Sequence, residues 1–388
     1  MSEVPIGRRV AYWRGRRNMS QQQFADRLGK SKSWVDKVER GVRRLDKVSV
    51  IQEIAEVLRV DPDALVVGDQ PDAAQPGGDL ADLADLIDDV RAALTRHPGL
   101  ALCPTTPAPD PGRWRARVVH ADAVYGHGRY PALLSLLPGL LDDSHRAAAD
   151  HRAAVYRLTT LTLVKVGAID LAWLAADRGL AVAAGTDDPV LAAVAAAPLG
   201  QALRAAGRHR HAFETAIVSA HQVVPLDDEG TAAERAACAA LLLQAALAAA
   251  EQHDPPTVAE LLNDAHGMTA PAAPERAAVD AARVAAAAAL GDGRHAVDLH
   301  EALTAGPGWG LLPLEHRAAH LVDVAPAYAL AGDPIGAGRT LLAADRLAPA
   351  EVRLRPAGRA ALAELLAVGR PDPALLAVAE AAGVDVAR

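Results

Sequence analysis

An all-α protein is expected from this sequence, on three grounds. Of the 388 residues, 51% are hydrophobic but only 3% aromatic, and alanine dominates the second half. Such a chain packs helices on small side chains and is short of the residues that sheets prefer. Apolar positions recur at helical spacing along nearly the whole sequence. A turn marker followed five residues later by alanine returns about every 40 residues, the mark of repeated helical hairpins. The length is enough for two or three domains at roughly 150 residues each.

The net charge of −8 hides an asymmetry. Residues 1–47 hold 13 basic and 5 acidic side chains, a net +8, which leaves −16 for the other 341. Four of the five lysines lie in that head, and the fifth is Lys165. A basic head on an acidic body suggests that the head alone meets a polyanion.

The head divides into short helices with sharp punctuation. Ile6 to Arg17 reads as a basic helix with Val10 and Trp13 inward. Ser20 is an N-cap and Gln23 completes a capping box; Phe24, Ala25 and Leu28 form the apolar stripe, and Gly29 stops the helix. Ser31 caps a third helix, Lys32 to Arg40, with Val35 and Val38 inward and Gly41 at its end. A fourth, about Val48 to Leu58, carries Ile51, Ile54, Ala55 and Leu58, and Asp61–Pro62 caps a short fifth.

The register of Met19, Ser20, Gln21, Ala25, Leu28, Gly29, Ser31, Glu39, Arg40 and Gly41 resembles the Cro/cI-type (XRE) helix-turn-helix family, over about residues 5–66. Physically, a recognition helix must offer polar side chains from its first turn to base edges in the major groove. Lys32, Ser33 and Lys37 lie on one face of the third helix, and the resemblance makes them base-reading positions. Lysine can donate to guanine O6/N7 and serine is permissive, so a G-containing half-site is expected. The resemblance also implies that Gln21 anchors a phosphate and that Arg40, Arg43 and Arg44 touch the backbone. Trp34 departs from the small residue usual there; it stands in the same DNA-facing set, with partial core packing against the second helix favoured over base contact. Arg8, Arg9, Arg14, Arg16 and Arg17 read as a general electrostatic footprint.

Beyond this 1–66 domain, residues 67–78 read as a flexible linker. A connecting helix is expected over 79–97, with Leu80, Leu83, Ile87, Val90 and Leu94 as a seam that either packs on the body or forms a dimer contact. Residues 98–112 form a Pro-rich linker, and 113–388 a repeat domain.

The repeat markers are Gly167/Ala172, Gly207/Ala212, Gly291/Ala296, Gly332/Ala337 and Gly369/Ala374, with weaker copies at His127/Ala132 and Asp254/Ala259. In the best copy Leu321, Val324, Ala325, Tyr328, Ala337, Leu341, Ala344 and Pro349 stand at tetratricopeptide (TPR) spacing, so the body resembles TPR-like α-solenoids. First helices of such hairpins line a concave groove, and extending the register puts Trp114, Arg117, Arg157, Gln201, Arg204 and Gln244 there. Gln244 interrupts an apolar helix, and a buried amide needs partners. The arginines suit an anionic group.

The combination resembles bacterial, actinobacterial-type regulators with a TPR-like sensor. The resemblance implies a homodimer on a partly palindromic double-stranded operator, responding to a small-molecule or peptide effector. The alternative is a DNA-tethered scaffold for a protein partner. Neither metal nor cofactor is expected: the histidines lack chelating spacing, and no nucleophile has a recognisable base. The glycine-rich Gly306–Gly310 stretch reads as an inter-repeat loop, and acidic pairs such as Asp142–Asp143 and Asp227–Asp228 as helix caps. Cys103 and Cys238 do not make a disulfide framework. With no apolar leader and a longest apolar run of 15 residues, Ala236 to Ala250, a cytoplasmic protein without a membrane span is expected.

Overall fold

The computed structural model describes residues 6–16, 19–40, 50, 53–54, 57–58, 79–96, 110–223, 230–271, 273–367 and 372–384. Their regular structure is all helix, with no strand among the described residues, and the chain divides into two compact units, 1–75 and 76–388.

In the first unit α1 (Ile6–Arg16), α2 (Gln21–Arg27) and α3 (Lys32–Glu39) enclose a small core. Ser20 and Gln23 form the expected capping box, and Gly29 turns the chain in the left-handed region at φ 62°. The Ser31 hydroxyl accepts from the Trp34 N–H at the start of α3. Val10, Phe24, Ala25, Val35, Val38, Ile54 and Leu58 are buried together, and the Trp13, Leu28 and Trp34 side chains close the edges. A Cβ on Gly7 would collide with the Val38 carbonyl, so α1 crosses α3 backbone to backbone. Of the expected fourth helix, residues 50, 53–54 and 57–58 are helical; Ile51, Ala55, the fifth helix, Arg43 and Arg44 lie outside the described residues.

The second unit opens with α4 (Asp79–Thr95). It rests on the body: Leu83, Val90 and Leu94 are buried in the core of the first hairpins, with Ile87 against it. Packing on the body is therefore what its apolar seam does. Then come antiparallel pairs: α5 (Pro111–Gly126) with α6 (Tyr130–Ser144), α7 (Ala149–Lys165) with α8 (Ile169–Ala184), and α9 (Pro189–Ala205) with α10 (His209–Val223). They continue as α11 (Ala232–Glu251) with α12 (Pro255–Gly267), α13 (Pro274–Ala289) with α14 (Gly293–Ala305), and α15 (Leu314–Leu330) with α16 (Pro334–Leu347). The chain finishes with α17 (Pro349–Arg353), α18 (Pro356–Ala367) and α19 (Pro373–Ala381). First helices of successive pairs touch one another, forming one continuous row.

The turns share a backbone device. Gly167, Gly207, Gly291 and Gly332 adopt φ between 71° and 87°, and the alanine five residues on is buried in each case. Two weaker copies need a correction by one residue. The left-handed positions are Gly128 and His253, not His127 and Asp254, so Leu133 and Val258 enter the core while Ala132 and Ala259 stay exposed. In the last copy Gly369 lies outside the described residues, and Leu375 rather than Ala374 is buried. Asp254 instead N-caps α12 ahead of Pro255, and Asp110, Asp188, Asp333 and Asp372 do the same ahead of a proline at N1.

Other expectations shift in detail. Helix α5 starts at Pro111, inside the expected linker. Asp142 and Asp143 cap nothing; sitting in the last turn of α6, they hold Arg96, Arg117 and Arg146. Asp227 and Asp228 lie outside the described residues, as does Cys103, while Cys238 is a buried free thiol. The Gly306–Gly310 segment forms part of a short 3₁₀ helix, Pro307–Leu311. The 15-residue apolar run lies within the 20-residue α11, the one described helix long and apolar enough to cross a membrane. That helix belongs to the body's core, where Cys238, Leu241, Ala245 and Ala249 are buried against α10 and α12.

Candidate functional site

In the head, helix α3 presents Lys32, Ser33 and Lys37 to solvent. Its other face is fixed by Val35 and Val38, which are 0% and 1% exposed, so the polar face cannot rotate inward. Trp34 is half-buried against the core. Arg40 is exposed and paired with Asp36.

Gln21 is drawn into a network that the sequence left unread. Its Nε2 donates to Glu39 Oε2 at 2.8 Å, while the Arg14 guanidinium grips the same carboxylate at 2.6 and 3.1 Å and donates to the Met19 carbonyl at 2.7 Å. Glu39 is 6% exposed. A nearly buried carboxylate held on two sides fixes the angle between α1, the start of α2 and the end of α3. Arg14, read only as part of an electrostatic footprint, is thereby a structural residue. The clue in the sequence was the acidic side chain on the inward face of an otherwise basic unit.

In the body, the row of first helices surrounds a cavity of 300 Å³. Gln201 and Arg204 from α9 and Gln244 from α11 line it, as do Lys165, Glu315, His316, His320, Asp323 and Arg355. Three of the six expected groove residues thus come together. The other three stand elsewhere. Trp114 is 2% exposed and packed in the core of the first hairpins, because the register that places it on α5 turns its ring inward. Arg117 stacks on that ring, its guanidinium carbon 5.3 Å from the centroid, and pairs with Asp143 at 2.7 Å. Arg157 is engaged by Asp122.

One side of the cavity is a buried ionic clasp between helices far apart in sequence. Lys165 Nζ lies 2.5 Å from Glu315 and 2.7 Å from Glu351. The Tyr130 hydroxyl also donates to Glu351, and the Tyr125 hydroxyl to Glu315 at 3.3 Å. Arg355 adds bonds to Glu351 at 3.3 Å and Asp323 at 2.8 Å. Burial alone would lower the Lys165 ammonium, but Glu315 and Glu351 outweigh it and its pKa is raised. Burial and then the Glu351 and Glu315 charges push the Tyr130 phenol up. Lys165 therefore stays charged, and the Tyr125 and Tyr130 phenols protonated, around neutral pH. The clasp ties α5–α7 to α15 and α17, so the row of hairpins closes on itself around the cavity.

Beside the cavity, His300 Nδ1 and His320 Nε2 lie 2.9 Å apart with stacked rings, and Trp309 meets both edge-on. Burial, then the neighbouring His300 and His316, holds His320 down to about 3. Among the described residues no group of three His, Cys, Asp or Glu side chains could hold a metal ion.

These two units are a helix-turn-helix domain and a closed row of helical hairpins. The helix-turn-helix domain family matches residues 5–66. No curated protein sequence matches the chain. Among solved structures, Bacillus thuringiensis PlcR in complex with the peptide PapR7 and DNA is similar at 12% identity. The match covers 69% of this chain and 94% of that one, with a TM-score of 0.35, too slight a likeness to transfer anything.

Proposed function

We propose that the chain is a sequence-specific transcription regulator of XRE type, working in the cytoplasm, that reads double-stranded DNA with α3 and an effector with its body. The observation that carries the first half is the exposed face of Lys32, Ser33 and Lys37 on a helix locked in place by its core, within a matched helix-turn-helix domain. Lysines there donate to guanine edges, and the +8 of the head supplies the salt-dependent phosphate attraction. Gln21, Arg40, Arg43 and Arg44 contribute backbone contacts. The acidic body is repelled by the duplex, which leaves it free for another ligand.

The body's cavity supports the effector half. Its lining of convergent polar groups among alanines and leucines suits a small compound. The clasp across the row favours that over a scaffold for a partner protein, because it closes the groove a partner would enter. Bound effector biases the arrangement of two heads in a homodimer and so operator affinity. The test is selection from random duplexes with the full chain. A partly palindromic sequence, with half-site centres one helical turn (~34 Å) apart, should be enriched. Failure to enrich any sequence over the starting pool contradicts the reading.

A further inference from the structure

The charges around the body's cavity are unevenly partnered. Glu315 holds Lys165 and the Tyr125 hydroxyl, Glu351 holds Lys165, Tyr130 and Arg355, and Asp323 holds Arg355. Two cations thus share three carboxylates at the clasp. Arg204 is the cation on the opposite footing. One of its terminal nitrogens donates to the Gln244 amide oxygen at 3.1 Å, a neutral partner. Its Nε is buried and meets no acceptor among the described residues. Burial lowers its pKa, and Glu251 and Asp323 act on it only through space. A guanidinium in a low-dielectric wall without a carboxylate is held at a cost that a bound anion would relieve.

We propose that Arg204 seats a small monoanionic ligand, a carboxylate, within this cavity. The inference rests on the effector reading above and names the effector's chemistry. Arg204 offers the fork geometry that carboxylates fit. Gln201 and Gln244 stand beside it as neutral amides able to complete the hydrogen bonding, and Leu243 and Leu247 provide an apolar wall for the rest of the molecule. A volume of 300 Å³ is at the low end of ligand sites, which suits a compound of metabolite size and not an extended peptide. A second negative charge would meet the carboxylate-rich clasp, so a dianion is disfavoured.

The experiment measures the thermal midpoint of the full chain against butyrate and benzoate, at constant ionic strength. Butyramide and benzamide are the neutral controls, and succinate the dianion. The carboxylates should raise the midpoint with saturation, the amides should not, and succinate should do so less. Arg204→Met should abolish the response, Arg204→Lys should weaken apparent affinity about tenfold, and Arg117→Gln or Arg157→Gln should leave it unchanged. No response to either carboxylate, an equal response to the amides, or an unaltered response in both Arg204 variants overturns the proposal. Operator affinity is measured separately. Arg204-dependent binding that leaves DNA affinity unchanged defeats the effector reading while the site stands; an effector that releases DNA equally well from Arg204→Met defeats the site while the reading stands.

Discussion

Single side chains in this protein do work that their residue type alone does not announce. Glu39 is one, a carboxylate in a basic unit whose task is to hold Arg14 and Gln21. His320 is another. Its ring is 5% exposed and held neutral down to about pH 3. The unfolded chain takes that proton near pH 6.5. His320 therefore contributes stability that is fully present above pH 6.5 and is lost as pH falls from there toward 3, amounting to about 2 kcal/mol at pH 5. His320→Gln keeps a partner for His300 and removes the titration. Its unfolding free energy should fall less between pH 6.5 and 5 than that of the parent, by denaturant titration at each pH. A parallel fall in both proteins would show that another group carries the dependence.

At the scale of the element, the repeated turn sets where each second helix begins. Gly207 sits at φ 71° with nothing within 4 Å of where a Cβ would stand, so Gly207→Ala isolates the conformational cost and should destabilise by about 1 kcal/mol. His253 occupies the same position of another hairpin at φ 57° with a side chain in place, so His253→Gly should act in the opposite direction, by up to ~1 kcal/mol. Thermal midpoints moving the same way in both variants would contradict this reading of the turn. The sequence revealed these hairpins because glycine marks most of the turns and alanine the close contact after them. It misplaced two by one residue: histidine at 253 hides the left-handed position, with the Asp254–Pro255 start unread, and the fifth residue after Gly128 is Leu133, so the alanine rule picked His127 and Ala132 instead. The apolar seam of α4 was legible, but its partner was not: Leu83, Val90 and Leu94 look the same whether they meet the body or a second copy. Of the expected groove residues, Gln201, Arg204 and Gln244 reach the cavity because they follow the register of the regular central hairpins. Arg117 and Arg157 do not, since Asp143 and Asp122, near in space but remote in sequence, engage them.

Across the whole molecule, the −8 is the sum of a basic helix-turn-helix unit and an acidic body with its own charged interior. The clasp is the feature no sequence pattern signals, because Lys165 and Glu351 are 186 residues apart. Lys165→Met leaves Glu315 and Glu351 buried without their ammonium and should cost about 3–5 kcal/mol in the unfolding of the body. An unchanged denaturation midpoint would mean that the clasp is solvated and the row of hairpins open. The claim on which everything else depends is that α3 reads DNA. It is tested most directly by fluorescence anisotropy of the full chain on its selected duplex, comparing the parent with Lys32→Ala and Lys37→Ala. Each variant should lose specific binding, to within about tenfold of a scrambled duplex, while keeping the body's thermal transition. Parental affinity and sequence preference in both variants would contradict the assignment of the recognition helix.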